Sequence, residues 1–333
     1  MARRLAGLRF PSHPVESPSM TRPTVAAEEC IALGAAHRVL ESYPGREISI
    51  GPIPVTRVLP IRGRRMVGPW CFLDRYGPLA FADENPMDVA PHPHIGLQTV
   101  TWLFEGEVLH DDSLGSETVG RPGGVNVMTA GSGIAHAERT PREHSGRLNG
   151  AQLWVALPDA ARHGAASFAA VERVPLVEER AGVVQVFSGA LAGTRSPAPH
   201  FSDLVGAEVR VHPGHDLEVG VDAGHEHAVL LVDGDCAVDG EALEPRRLYY
   251  LGTQRESVSF ASRSGARLLF VGGPPFPEAI LMWWNFVART PEEIAEARAD
   301  WVVGRRFGEV TAYRGPRLPA PELARLARPN PMS

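Results

Sequence analysis

Residues 90–108 read APHPHIGLQTVTWLFEGEV, and residues 122–139 read PGGVNVMTAGSGIAHAER. Both are strand text, with β-branched and aromatic residues such as Val100, Trp102, Val125 and Val127 set between glycines. Residues two apart on a strand point to the same side. His92 and His94 therefore share a face, and so do His136 and Glu138. Two such pairs on neighbouring strands of one small β-unit would bring three imidazoles and one carboxylate around a single point. That donor set suits Fe(II), Mn(II), Ni(II), Cu(II) or Zn(II), and the lack of thiolate argues against a structural zinc site. Four protein ligands on an octahedral ion leave positions open for substrate or O₂. The spacing predicts one metal ion per chain, held by His92, His94, His136 and Glu138.

The same writing runs outward from these two stretches. From Ile48 onward, short apolar runs such as QLWVAL (152–157), VVQVFSG (183–189), HAVLLVDG (227–234) and ARLLFVGG (266–273) alternate with turns rich in the 34 glycines and 30 prolines. This is all-β text, many short antiparallel strands joined by tight turns. FEGE (104–107) in one half and VDGD (232–235) in the other sit in similar strand–turn–strand surroundings, which implies two copies of a small β-barrel or sandwich. The expected organisation is an N-terminal extension, partly disordered, over 1–45; a metal-binding barrel over 46–165; a second barrel without metal over 166–280; and a helical tail over 281–333. The linker is expected between Pro158 and Pro175. Thr290, Pro291 and Glu293 predict a helix start, with Ile294, Ala297 and Trp301 on one apolar face and an end near Gly304. A second short helix is expected from Pro321 to Arg328.

Composition removes several chemistries. All 33 basic residues are arginine; there is no lysine. Schiff bases with pyridoxal phosphate, Ser-Lys nucleophiles and the P-loop lysine are excluded, because each needs a primary amine. A net charge of −6 offers no general attraction to nucleic acid or anionic lipid. No run approaches the ~20 apolar residues of a membrane helix. Cys30, Cys71 and Cys236 are odd in number and far apart, a pattern for thiols in a reducing compartment, and a cytoplasmic location is expected. Arg3, Arg4, Arg9 and Arg22 face the single acid Glu16 near the start, where Met20 is a second candidate initiator.

The stretch 92–138, preceded by GPWCFLDRYGP (68–78) and followed by QLWVALP (152–158), closely resembles the pirin family. The resemblance implies a bicupin, with iron in the N-terminal barrel on three histidines and one glutamate in this HPH and HxE arrangement. Those residues here are His92, His94, His136 and Glu138, with Fe(II) as the implied ion. It further implies one of two functions. One is an O₂-dependent opening of flavonols such as quercetin, with Glu138 as the base that takes a hydroxyl proton. The other is an iron-dependent regulator that binds a transcription factor or metabolic enzyme. The implied partners are thus a small aromatic or enolic substrate with O₂, or a protein, with no direct nucleic-acid binding. Many pirins read HPHRGFET where this chain has His94-Ile95-Gly96-Leu97-Gln98-Thr99. Gln98 shares strand parity with His94 and is expected to face the ion as an amide behind the ligands.

Aligning the two halves places Gly220 and Asp222 where His92 and His94 stand, Ser257 where His136 stands, Ser259 where Glu138 stands, and Glu226 where Gln98 stands. No ligand set survives in the second half, and His225 and His227 fall off register. His110, Asp111 and Asp112 follow a hairpin glycine and read as an ordinary polar turn.

Overall fold

The computed structural model describes residues 28–30, 38–50, 53–82 and 87–323. The first half folds as two facing antiparallel sheets. The larger has seven strands in the spatial order Ser167–Val171, Val125–Thr129, Leu97–Gly106, Arg147–Ala156, Trp70–Ala80, Ile53–Leu59 and Arg46–Ile50. The smaller has four: Asp88–His94, Ile134–Arg139, Val108–Asp112 and Glu117–Gly120. The second half repeats the plan with an eight-stranded sheet and a four-stranded sheet that begins His215–Gly220 and Ser257–Ser262. Each unit is an open two-sheet sandwich, not a barrel closed by hydrogen bonds.

Chain segments cross between the units. Arg38–Pro44, in the segment read as an extension, pairs with Arg247–Gly252 of the second half. Ser167–Val171, in the stretch read as linker, pairs with Val125–Thr129 of the first.

The two large sheets pack back to back. Along Leu97–Gly106, Val100, Trp102 and Phe104 point toward the second half, while Thr99, Thr101 and Leu103 point into the first sandwich. Both faces are buried, which explains the near-continuous apolar run. Val100, Trp102 and Leu153 share one core with Phe187, Ala228, Leu230, Tyr250 and Leu269. Polar handles cross it as well. The Trp70 indole donates to the carbonyls of Val205 (2.9 Å) and Gly272 (3.0 Å), and the Trp102 indole donates to Glu208 (3.0 Å). Buried indole N–H groups that find partners make this an ordered interface, not a loose apolar contact.

The tail packs on the outer face of the small sheet of the first half. The helix runs Pro291–Val302, with the Thr290 hydroxyl accepting from the Glu293 N–H (3.3 Å). The Glu293 carboxylate accepts from the Arg289 N–H (2.9 Å), one residue before the cap. Ile294, Ala297 and Trp301 are buried against Ile95, Ala135 and Ala137. Ala135 and Ala137 alternate with His136 and Glu138, so their small side chains admit the helix on one face while His136 and Glu138 occupy the other. Beyond the helix, the Leu318 N–H donates to the Pro91 carbonyl (2.9 Å) and covers the exposed edge of Asp88–His94. Pro321 to Leu323 carry no helix, and the rest of the second expected helix lies outside the described residues.

Candidate metal centre

Pro91 and Pro93 lack an N–H, which confines Asp88–His94 to a sheet edge. Among the described residues it is the edge strand of its sheet, paired with Ile134–Arg139. That pairing sets His92 directly opposite His136 and His94 opposite Ile134. All three rings turn inward, and their nearest ring nitrogens lie within 4.8 Å of one another. His94 Nε2 and His136 Nε2 are 3.0 Å apart.

Hydrogen bonds decide which nitrogens carry protons. His92 Nδ1 lies 2.9 Å from the Ala90 carbonyl and His94 Nδ1 lies 3.1 Å from the Asn285 carbonyl, so each Nδ1–H donates and each Nε2 keeps its lone pair. Burial pushes His92 down to about 4 and holds His94 and His136 well below the ordinary histidine value. These are neutral imidazoles, the form that binds metal. Lone pairs 3.0 Å apart repel unless a proton or a cation lies between them. Two ligands at ~2.1 Å on one ion, at right angles, stand about 3 Å apart. The residues fit a metal ion.

Glu138 lies on the same strand as His136, but a β-bulge separates the two, and its carboxylate does not join the close set of three. Thr101 Oγ1 is 3.5 Å from Glu138 Oε1 and 2.9 Å from Gln152 Oε1, so its single proton serves the glutamine. Burial raises the Glu138 pKa. The carboxylate is thus weakly hydrogen-bonded and ready for a proton or a cation. Across the interior, Phe72 and Trp154 stack at 4.0 Å, and the edge of Trp154 meets the His94 ring at 5.3 Å. Arg57 covers Phe72 and grips Asp74 through two hydrogen bonds of 2.8 and 2.7 Å.

The tail reaches this centre from behind. The hairpin Ile280–Trp283/Phe286–Ala288 turns through Trp284, whose φ of 52° is a left-handed conformation that costs a non-glycine residue about 1–2 kcal/mol. That turn presents the Asn285 carbonyl to His94. Gly96 is required at the crossing, because its φ is +68° and a Cβ there would meet the Val287 carbonyl oxygen at 2.0 Å.

Two expectations need correction. Gln98 does not face the ion. Gly96 breaks the strand between His94 and Leu97, which belong to different sheets, so parity does not carry across it. Gln98 shares the face of Val100 and Trp102, donates to Thr129 (2.9 Å) and the Pro199 carbonyl (3.0 Å), and bonds His200 (3.1 Å). Its counterpart Glu226 also reaches across the interface, accepting from the Gly68 N–H (2.7 Å) and the Tyr250 hydroxyl (2.8 Å). The second correction concerns His110 and Asp112, which are not in a surface turn. They lie on the strand Val108–Asp112, at 4% and 3% exposure, with His110 opposite Glu138 and Asp112 opposite His136. The overlooked signal was a third pair of ligand-type residues at i and i+2 after Val108.

In the second half, Gly220 pairs with Ser257, as His92 pairs with His136. His225 and His227 have ring centres 6.1 Å apart, and His227 points into the sandwich against Phe270. Neither His227 nitrogen has a hydrogen-bond partner among the described residues, and burial lowers its pKa to about 3. Between pH 3 and the unfolded value near 6.5, the unfolded chain binds the extra proton. Stability therefore rises with pH through that window, and His227 costs about 2 kcal/mol at pH 5 relative to pH 7. His227→Phe is expected to remove that share of acid sensitivity, bringing urea midpoints at pH 5 and pH 7 closer together. An unchanged gap would mean that His227 is protonated in the folded protein.

Comparison with known proteins follows the same division. The pirin family model matches residues 53–155, and the model of the pirin C-terminal cupin domain matches residues 206–308. A Pseudomonas aeruginosa protein named "putative quercetin 2,3-dioxygenase" is 44% identical over 86% of this chain and 91% of its own. A pirin-like protein of Caulobacter vibrioides is 38% identical over 79% of this chain and 93% of its own. The crystal structure of a quercetin 2,3-dioxygenase from Acinetobacter baumannii superposes with a TM-score of 0.84 at 40% identity, covering 87% of this chain and 97% of that one.

Proposed function

This chain belongs to the pirin family, and we propose that it is a metal-dependent dioxygenase of the quercetin 2,3-dioxygenase type. One Fe(II) would be held by His92, His94, His136 and Glu138, and the substrate is a flavonol or another aromatic enol. The observation that carries the reading is the close approach of His94 Nε2 and His136 Nε2, 3.0 Å apart, with His92 beside them. The metal, when bound, supplies a Lewis acid that acidifies an enolic hydroxyl and brings substrate and O₂ together.

The chain's own residues do the rest. Glu138, buried and weakly hydrogen-bonded, would accept the enol proton on a carboxylate oxygen when that oxygen is released from the metal. Phe72 and Trp154 offer stacked aromatic surface beside His94, suited to a planar ring. Small-sheet alanines and the docked tail exclude water from the back of the site.

Anaerobically purified protein should contain close to one metal per chain. On adding quercetin it should consume O₂ and release carbon monoxide. Full iron occupancy with no O₂ uptake on any enol tried would replace this reading with the regulatory one.

A further inference from the structure

We infer that His110 and Asp112 form a relay that fixes the tautomer of His136 and so makes it a ligand; this rests on the metal reading above. His92 and His94 are each tied by a backbone carbonyl. Among the described residues, His136 Nδ1 has no such carbonyl. Its Nδ1 lies 3.3 Å from His110 Nδ1, and His110 Nε2 lies 3.2 Å from Asp112 Oδ2. A carboxylate only accepts, so His110 Nε2–H donates to Asp112, and the relay we infer leaves Nδ1 as the bare nitrogen. His110 Nδ1 is then an acceptor, His136 Nδ1–H donates to it, and His136 Nε2 is left bare toward His94.

The relay is built to hold one direction. Asp112 Oδ1 accepts from the backbone N–H groups of Leu114 (2.9 Å) and Ser116 (3.0 Å), so the carboxylate cannot rotate without losing both. The His110 ring lies flat on Phe168, with centres 4.3 Å apart and planes 9° apart. Phe168 sits on Ser167–Val171, the strand placed against Val125–Thr129. Although burial alone would push the Asp112 carboxyl up, hydrogen bonds from His110 and Ser116 hold it below the ordinary carboxylate value. His110 and Asp112 are positioning residues that act through His136 and need not touch substrate.

Asp112→Asn tests this without changing shape. Its amide oxygen must stay on the Leu114 and Ser116 N–H groups, which turns the NH₂ toward His110. His110 Nε2 must then accept, His110 Nδ1–H must donate, and the His136 proton moves to Nε2, where it blocks the metal. The expected results are two. In metal-free protein, the imidazole ¹⁵N NMR signature of His136 changes from Nδ1–H in wild type to Nε2–H in the variant. Zn(II) or Co(II) titration shows affinity lowered ~10–100-fold, the usual loss for a ligand's outer partner. Wild-type His136 already carrying its proton on Nε2, or an Asp112→Asn variant with wild-type affinity, would overturn the relay. Wild-type protein that binds no metal while showing the Nδ1–H tautomer would instead sink the metal reading and leave the relay standing.

Discussion

His136→Ala is expected to abolish stable metal binding and, with it, any O₂ consumption on enolic substrates. The remaining imidazoles, His92 and His94, come from one edge strand and approach from one side only. His136 alone supplies a nitrogen from the neighbouring strand, opposite His92 and 3.0 Å from His94 Nε2. Loss of an outer partner costs ~10–100-fold, and loss of the ligand itself should exceed that. The change also deprives His110 Nδ1 of its donor. Metal analysis after anaerobic purification, with an O₂ electrode alongside, reads both effects. His227→Ala is the control, since His227 lies in the other sandwich and should leave metal content unchanged. A His136→Ala protein that still carries one metal per chain would remove His136 from the site.

The contrast between His136 and Gln98 shows what strand periodicity can and cannot deliver. Within one strand, period-two geometry is fixed by the backbone, so the spacing of His92, His94 and His136 was enough to bring the three imidazoles together, while Glu138 lies past a β-bulge and outside that close set. Pro91 and Pro93 further mark their strand as an edge. Across Gly96 the chain leaves one sheet for another, and no rule of spacing survives a left-handed residue between them. Gln98 was misplaced for that reason. The register comparison of the halves did carry through, because Gly220 pairs with Ser257 as His92 pairs with His136. His110 and Asp112 were obscured by the polar residues around them, which resemble a turn, although their spacing repeats that of the ligands. Arg38–Pro44 was unreadable for another reason, since its partner strand lies some two hundred residues away and leaves no local trace.

Removing the chain from Pro291 onward is expected to lower the melting temperature strongly and to weaken metal binding with it. The deleted residues include Ile294, Trp301 and Phe307, all buried against the outer face of the sheet that carries His92, His94 and His136. Each such side chain contributes about 1.5–3 kcal/mol of burial. The face left behind, made of Ile95, Ala135, Ala137 and Phe286, would become an exposed apolar patch of the kind that aggregates. Trp301→Ala is the milder version. Besides losing its packing on Phe307, it gives up the hydrogen bond from its indole to the Leu318 carbonyl (2.8 Å) that holds the tail along the sheet edge. A buried Trp→Ala change costs roughly 3–5 kcal/mol, which corresponds to a drop on the order of 10 °C. The metal effect follows from the hairpin before the helix, whose Asn285 carbonyl orients His94 and whose Phe286 is pinned by Phe307 at 5.9 Å. With the helix gone, that carbonyl loses its support and His94 its fixed tautomer. Scanning calorimetry of the metal-free protein and Zn(II) titration separate the two consequences. A truncated protein that melts with the full chain would make the tail a passenger. One that melts early yet binds metal normally would mean that the hairpin holds His94 without the helix.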